Sequence, residues 1–433
     1  MIAALAAIRK GDVSTQELTS LFLARIESEN PALGALRHVA AEEALKAARA
    51  IDALVQSAAE LPPLAGLPVV VKENCDTAGM ACSAGLTFRA GHVPSADSAV
   101  TARLRAAGAI ILGVSVSDPG AFGVRTAEVT HPLDASLSVG GSSGGSGAAL
   151  AAGFCLGAIG TDTGGSIRIP SACCGIVGLK PTYGTLPMDG IFPLVPSLDH
   201  VGPMARSVAD VRLFCEALSG ERVSPAAAPR IVGYDPRWVE IADEPISSAF
   251  RTALDKLQDR GIATREVALP NLDDVAAMHG QIFMVEAAAW HCAHHGESVA
   301  AYPEIAREWF ALARQMPVGA YVEACTRRVA ATRAVDRIFQ EVDVNLTPTI
   351  CVARPPRSAQ TLQIDGRAHD YIMAMVRLTC LFDHTGHPAL SLPVPGTGDI
   401  LTSSVQIVGP RRGEDTILQT GLQLELDQFQ EIT

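Results

Sequence analysis

Aromatic and charged residues are scarce in this 433-residue chain, at 5% and 18% of the total. With 48% hydrophobic residues, this composition excludes a disordered or fibrous chain and predicts a large core that folds without metal or disulfide. Lys and Arg number 34 against 46 Asp and Glu, so the net charge is −12. Because phosphate binding needs clustered cations, we expect neither a nucleic acid nor a membrane as partner.

The sequence also has no C-x-x-C pair and no apolar run of membrane length. Its ten cysteines are scattered, and the adjacent Cys173 and Cys174 cannot easily adopt bridge geometry, so we expect buried, reduced thiols. The apolar stretch over 148–160 is shorter than the ~20 residues that a span needs. The apolar start, residues 1–8, is followed rather than preceded by positive charge, unlike a signal peptide. These features predict a cytoplasmic protein.

Hydrophobic patterning indicates a sheet covered by helices. Residues 13–60 are predicted to be helical, beginning with a capping box at Ser14-Thr15-Gln16-Glu17. Short β-branched runs predict buried strands at 67–72 and 109–113. The helix predicted between them, at 98–107, is typical of a right-handed crossover between parallel strands.

The second half of the chain contains the best linker candidate, residues 220–230, which are rich in Ser, Pro and Ala. The segment that follows, up to residue 340, could be an insertion rather than a domain. Strands are predicted there and beyond at 231–233, 264–269, 342–346 and 388–393, with helices filling 275–340.

A Gly/Ser-rich segment, VGGSSGGSG over 139–147, has two possible interpretations from its residues alone. It could be a flexible linker, but an apolar segment follows it directly, which favours a loop packed against a core. It also fits the G-x-S-x-G elbow of α/β-hydrolases, with Ser143 as nucleophile and His384 or His387 as base. The preceding residues, 132–138, would make a poor strand for such an elbow.

Three runs carry a resemblance to a known family: GGSSGGS over 140–146, GTDTGGSIRIP over 160–170 and CGIVGLKPT over 174–182. Together they are similar to the motif of the amidase signature family. The likeness extends to most of the chain, through 68–74, 197–204, 346–349, 386–393 and 405–410.

The resemblance implies a fold class. It predicts one α/β domain, residues 1–433, with a large mixed, twisted central β-sheet covered by helices on both faces. Members are often dimers, so a homodimer is an open expectation. The expected parts are an N-terminal helical segment over 1–60, a signature core over 61–220, a helical part or insertion over 221–340, and a return to the core over 341–433.

The family's catalytic set is a Lys, a Ser on a cis peptide and a second Ser twenty-four positions later, which fall on Lys72, Ser142 and Ser166. A serine hydroxyl is a weak nucleophile and needs a base within reach. Lysine serves as that base only when burial disfavours its ammonium form, which can lower its pKa by ~3–5 pH units. The resemblance therefore implies Ser166 as nucleophile, Ser142 as relay and a neutral, enclosed Lys72 as base, with the cis bond between Gly141 and Ser142.

The resemblance also implies the groups that surround the reacting atoms. Glycines let backbone N–H groups turn toward a substrate, so an oxyanion hole is expected from the amides of Thr163, Gly164, Gly165 and Ser166. Structural support is expected from Ser143 and from an internal ion pair of Asp162 with Arg168, which would brace the turn. No metal or other cofactor is expected.

The implied activity is that of a serine amidohydrolase forming an acyl-enzyme on Ser166. We expect a neutral small-molecule amide, anilide or carbamate (urethane) as substrate. Alternatives are the glutaminase subunit of a tRNA-dependent amidotransferase, a hydrolase of urea-like, carboxybiuret-type compounds, and a non-catalytic subunit. The glutaminase members usually carry an acidic residue in a segment where this chain has Met375-Val376-Arg377-Leu378-Thr379, and the intact trio argues against a non-catalytic role.

A histidine group offers a different alternative. His291, His294 and His295 lie near Glu286 at helical spacings that could bind a metal. No second ligand group is evident, so a polar helix face near Trp290 is the preferred interpretation.

Overall fold

An eleven-stranded β-sheet forms the centre of the computed structural model, which describes residues 1–223, 227–364, 366–394, 401 and 404–425. The strands are β1 (Leu36–Val39), β2 (Pro68–Lys72), β3 (Ile110–Ser115), β4 (Gly157–Asp162), β5 (Val177–Lys180), β6 (His200–Ala205), β7 (Ile231–Tyr234), β8 (Ala263–Glu266), β9 (Val344–Pro348), β10 (Thr361–Ile364), β11 (Arg367–Asp370), β12 (Ala389–Pro393) and β13 (Ser404–Val408). The helices are α1 (Ile2–Lys10), α2 (Thr15–Leu33), α3 (Ala41–Gln56), α4 (Ala99–Ala106), α5 (Gly144–Ala151), α6 (Arg168–Cys174), α7 (Val208–Ser219), α8 (Pro236–Glu240), α9 (Glu244–Asp259), α10 (Leu272–His295), α11 (Glu304–Gln315), α12 (Val318–Ile338), α13 (Tyr371–Val376), α14 (Leu381–Thr385) and α15 (Glu414–Glu425).

The sheet is mixed, with strand order β1-β3-β2-β4-β6-β5-β12-β13-β9-β7-β8. The pairs β2–β3, β2–β4, β7–β8 and β7–β9 are parallel, and the other neighbours are antiparallel. Every residue of β2, β3 and β4 is buried. Because alternate side chains of a strand point to opposite faces, both faces of the sheet are covered there. This confirms the predicted α/β fold class.

The strands and helix predicted at 67–72, 98–107 and 109–113 are confirmed as β2, α4 and β3, with β2 and β3 parallel. The all-helical prediction for 13–60 is wrong in one place, because β1 lies between α2 and α3. This short strand pairs antiparallel with the edge of β3. Four residues carry too little period-2 pattern to reveal a strand, and the pairing that stabilises it is distant in sequence.

The second half of the chain adds to the same sheet. β7 and β8 continue the sheet beyond β9, so the segment after the linker candidate contributes strands to the central sheet. Three residues of that candidate, 224–226, lie outside the described residues. The helices predicted over 275–340 and the late strands are confirmed as α10 to α12, β9 and β12. The strands β4, β5, β6, β10, β11 and β13 were not predicted.

All ten cysteines are free thiols, and eight of them are buried. The other two, Cys292 and Cys325, are half-buried. The expectation of buried, reduced thiols therefore holds for eight of the ten, and the burial predicted for the other two is incomplete. Within the described ranges, none of the helices combines the length and the apolar character that crossing a membrane requires.

Candidate active site

Lys72, the last residue of β2, is fully enclosed. Its Nζ donates to Ser142 Oγ at 2.7 Å and to Thr161 Oγ1 at 2.8 Å. The parallel pairing of β2 with β4 brings Thr161 beside the lysine, because the carboxyl ends of both strands lie at the same edge. Asn74 Nδ2 donates to the same threonine oxygen at 3.2 Å and so helps to fix it.

Burial is the main influence on the pKa of Lys72. It lowers the pKa of Lys72 to about 8, against the opposing attraction of charges that include Asp118 and Asp162. A much larger fraction of the side chain is therefore neutral near pH 7 than for a lysine in water. The burial of its side chain agrees with the prediction that Lys72 is enclosed.

Ser142 lies at the start of the turn that leads into α5, and its peptide bond with Gly141 is cis, as the family resemblance implied. The Ser142 carbonyl accepts from Asp118 N at 3.2 Å. Gly141 cannot be replaced without a clash, since a Cβ there would overlap Asp118 Oδ2 and come within 2.6 Å of the Arg125 amide nitrogen. The glycine is therefore needed to let the carboxylate approach the backbone next to Ser142.

Ser166 lies between β4 and α6 and lines a cavity. Ser143 N donates to the Ser166 carbonyl at 3.3 Å, which places residue 166 against the turn that contains Ser142. Among the described residues, no hydrogen bond links Ser166 Oγ to Ser142 Oγ directly. The structure thus brings the three predicted residues together, with Ser166 at the cavity.

The turn before Ser166 offers fewer free amides than predicted. Gly165 N donates to Asp162 Oδ1 at 2.7 Å, so this N–H is already engaged and the expectation that it faces the substrate is corrected. The amides of Thr163, Gly164 and Ser166 have no acceptor among the described residues, and all three residues line the cavity. These three amides therefore remain without a partner at the cavity, within the part of the chain that the structure describes.

Asp162 and Arg168 form the predicted internal ion pair. Arg168 Nε and Nη2 donate to the two carboxylate oxygens at 3.0 and 2.9 Å, and both side chains are fully buried. Nη2 also donates to Asp383 Oδ2 at 2.6 Å, a partner that was not predicted. Burial opposes the ionisation of Asp162, but the guanidinium outweighs it and holds the pKa of that carboxyl well below its usual range. The pair fixes the turn because Asp162 also accepts from the Ile167 amide.

Replacing Arg168 by methionine should lower the free energy of unfolding by about 3–5 kcal/mol, since the Asp162 charge would remain buried without its cation. Urea unfolding measures this as a lower midpoint at an unchanged slope. The matched control is Arg251→Met, which removes an ion pair with Glu244 whose side chains are 58% and 78% exposed. Equal destabilisation by both changes would contradict the bracing role.

The α/β-hydrolase elbow is excluded by the surroundings of Ser143. Its hydroxyl is buried, donates to the Thr161 carbonyl at 3.1 Å and accepts from the Thr161 amide at 3.2 Å. This is the predicted structural support. Neither proposed base is a partner of that hydroxyl, because His384 pairs with His279 and His387 contacts Thr385.

The histidines of α10 do not form a metal site. His291 is buried between Tyr302 OH, at 2.9 Å from Nδ1, and the Leu194 carbonyl, at 3.2 Å from Nε2. His294 stacks on Trp290 with ring centroids 4.3 Å apart. Over the described ranges, no group of three or more His, Cys, Asp or Glu side chains is arranged to hold a metal ion.

A cavity of about 250 Å³ opens beside Ser166. Its lining combines the turn residues Thr163, Gly164 and Ser166 with mainly apolar side chains, among them Phe122, Val124, Leu194, Phe283, Met284, Ile305, Trp309, Ile372, Met373 and Val376. His279 and Asp370 add polar groups, and neither was predicted as a site residue. Such an apolar cleft with few convergent polar groups is typical of a small-molecule site.

Comparisons with known proteins agree with this arrangement. A family model described as amidase matches residues 17–418. The chain is 32% identical over 480 residues to a glutamyl-tRNA(Gln) amidotransferase subunit of Chloroflexus aggregans, covering 100% of this chain and 96% of that protein.

Solved structures show the same fold. A structure described as an amidase shares 29% identity, with a TM-score of 0.89 over 98% of this chain and 99% of that one. A second, described as an unexpected vestigial protein complex that reveals the evolutionary origins of an s-triazine catabolic enzyme, shares 29% identity with a TM-score of 0.91 over 99% and 98%. The chain therefore belongs to the amidase signature family of hydrolases, which act on carbon–nitrogen bonds.

Proposed function

We propose that this protein is a serine amidohydrolase that cleaves neutral amides, anilides or carbamates through an acyl-enzyme on Ser166. The observation that carries the proposal is the contact of 2.7 Å between Lys72 Nζ and Ser142 Oγ, with the lysine fully buried and Ser166 beside them at the apolar cavity. This combination supplies a base, a relay and a nucleophile without a histidine.

In the first step, the Ser166 hydroxyl turns toward Ser142 and attacks the substrate carbonyl carbon. Catalytic hydrogen bonds often close only when substrate is bound, so a free hydroxyl in the cavity is compatible with this step. Ser142 takes the proton of Ser166 and gives its own to Lys72, since one hydroxyl both donates and accepts. The negative oxygen of the tetrahedral intermediate is stabilised by the amides of Thr163, Gly164 and Ser166.

In the second step, the intermediate collapses and the C–N bond breaks. Ser142 passes a proton to the leaving nitrogen and regains one from Lys72, which is neutral again at the end. A water molecule then attacks the acyl carbon of the ester on Ser166 by the same proton path in reverse, and releases the acid.

The position of the relay orients the substrate. The leaving nitrogen must face Ser142, and neither Ser142 nor Lys72 is among the described residues that line the cavity. The acyl side therefore enters the cavity, whose apolar walls favour a neutral, hydrophobic group.

The glutaminase and carboxybiuret alternatives need a substrate with a carboxylate. No Lys or Arg is among the described residues of the cavity lining, so a charged acyl group would lose its hydration without a cation in return. Asp370 does line the cavity, but its Oδ1 accepts from the Ile372 and Met373 amides as a helix N-cap. A panel of nitroanilides, aryl carbamates, glutamine and urea derivatives distinguishes these functions, and preferred release of ammonia from glutamine would contradict the proposal.

The rate should rise with pH because the base must be unprotonated. The pKa of Lys72 is lowered to about 8, so kcat/KM should be half-maximal near pH 8, fall about tenfold per pH unit below it and level off above it. A pH–rate profile on a substrate that does not itself titrate between pH 6 and 10 measures this. A flat profile through pH 8 would contradict a lysine base with this environment.

A further inference from the structure

Two buried histidines beside the cavity take no part in the proposed mechanism. His279 of α10 and His384 of α14 are joined through His279 Nδ1 and His384 Nε2, which lie 3.0 Å apart. Their residues are only 5% and 3% exposed. Burial lowers the pKa of His279 to about 4 and that of His384 well below its ordinary value, so both rings are neutral at pH 7 and each carries one N–H.

The surroundings of the two rings indicate which nitrogen of each ring carries the proton. His384 Nδ1 is buried and has no hydrogen-bond partner among the described residues. Orphaned buried N–H groups are rarer in proteins than unfilled acceptors, which favours a bare lone pair on Nδ1 and places the His384 proton on Nε2. That Nε2–H donates to His279 Nδ1. The remaining proton of His279 therefore lies on its own Nε2.

His279 lines the cavity, and its Nε2 lies next to the turn that contains Gly164. A Cβ built on Gly164 would come within 3.3 Å of this nitrogen, and both residues line the cavity with Ser166. Nε2 has no acceptor among the described residues. The pair thus presents one fixed neutral donor in a mainly apolar wall, and a buried donor of this kind is stabilised when a ligand supplies an acceptor.

We propose that His279 determines specificity by donating its Nε2–H to a neutral oxygen on the acyl side of the substrate, one or two bonds from the reacting carbonyl carbon. This inference rests on the proposed function and narrows its substrate class. The alkoxy oxygen of a carbamate and the ether oxygen of an alkoxyacetyl amide have the required chemistry. A carboxylate does not, because a neutral imidazole and apolar walls cannot compensate its charge.

Three substrates with acyl chains of equal length test the proposal. They are the 4-nitroanilides of butanoic and methoxyacetic acid and ethyl N-(4-nitrophenyl)carbamate, which place CH₂ or O at matched positions and all release 4-nitroaniline. His279→Phe and His279→Leu remove the donor, and His279→Gln retains an N–H at similar reach. One of the two oxygen-containing substrates will be the better one for the wild type. On that substrate, His279→Phe and His279→Leu should lose about tenfold more kcat/KM than on the butanoyl anilide. His279→Gln should recover most of that difference.

Met284→Leu is the matched control, because it alters an apolar side chain of the same cavity and should change all three rates by a similar factor. Fluorophosphonate labelling of Ser166 in each variant reports whether the nucleophile is intact. An equal loss on all three substrates, with labelling retained, would overturn the role of His279 and leave the proposed function standing. A wild-type protein that neither labels nor releases nitroaniline would contradict both.

Discussion

Replacing Ser166 by alanine should reduce kcat by roughly 10⁴- to 10⁶-fold, the loss seen when a serine hydrolase is deprived of its nucleophile. The change removes one hydroxyl from a residue that lines the cavity, and the carbonyl that accepts from the Ser143 amide stays in place. The fold should therefore survive, and the lost activity would report chemistry rather than unfolding. Steady-state hydrolysis of a nitroanilide, together with thermal unfolding, measures the two effects separately.

Ser171→Ala is the matched control for Ser166→Ala. Ser171 is a buried serine on α6 whose hydroxyl donates to the Ile167 carbonyl at 2.8 Å, and it is not part of the cavity lining. This variant should lose some stability and keep most of its activity. Mass analysis of the fluorophosphonate adduct should locate the label on Ser166 in the wild type. Substantial hydrolysis by Ser166→Ala, or a label on Ser143, would refute the assigned nucleophile.

The candidate site could be predicted from the sequence because the proposed catalytic residues lie in short motifs with fixed spacing. The glycine-rich runs specify backbone that approaches side chains closely, and Lys72 ends a continuous apolar strand. Such a strand must be covered on both faces, so enclosure of the lysine followed from the sequence. The cis bond and the Asp162–Arg168 pair followed from the family likeness and agree with the structure.

Other groups were out of reach because they come from distant parts of the chain. His279 lies 105 positions before its partner His384, and Asp383 lies 215 positions after Arg168. Only the packing of α10 and α14 against the cavity and the signature turn brings them together. The engagement of the Gly165 amide by Asp162 was equally hidden, since it depends on the direction of one N–H and not on residue type.

A general lesson concerns the missed strands. β5 lies inside the run over 174–182, and β6 overlaps the segment 197–204 of the family likeness. The Gly and Pro residues of these segments mask the pattern of a strand. Each gains its stability from neighbours in the sheet, and β5 pairs with β12, far along the chain. Pairing partners, rather than local propensity, decide such elements.

Replacing Lys72 should be the second most damaging change. Lys72→Met keeps the length of the chain but removes the base, and Lys72→Arg keeps a positive charge that cannot be lost at ordinary pH. Both should lower kcat/KM by about 10²- to 10⁴-fold, the usual contribution of a positioned base. The rise in rate near pH 8 should also disappear in both variants. If the ammonium group had only a structural role, Lys72→Arg would keep the positive charge and should keep this rise.

Lys180 provides an unusually close control, because it is also fully buried and burial lowers its pKa to about 8 as well. Its Nζ, however, donates to the His387 and Pro181 carbonyls at 2.6 and 3.2 Å and lies 3.2 Å from His200 Nε2, and no serine hydroxyl is among these described partners. Lys180→Met should therefore lower the free energy of unfolding. The molecules that fold should nevertheless show the same dependence of kcat/KM on pH as the wild type. If Lys180→Met abolished the rise in kcat/KM near pH 8 and Lys72→Met retained it, the assignment of Lys72 as the base would be wrong. A low pKa is shared by both side chains, and the contact with Ser142 is what distinguishes Lys72 as the proposed base.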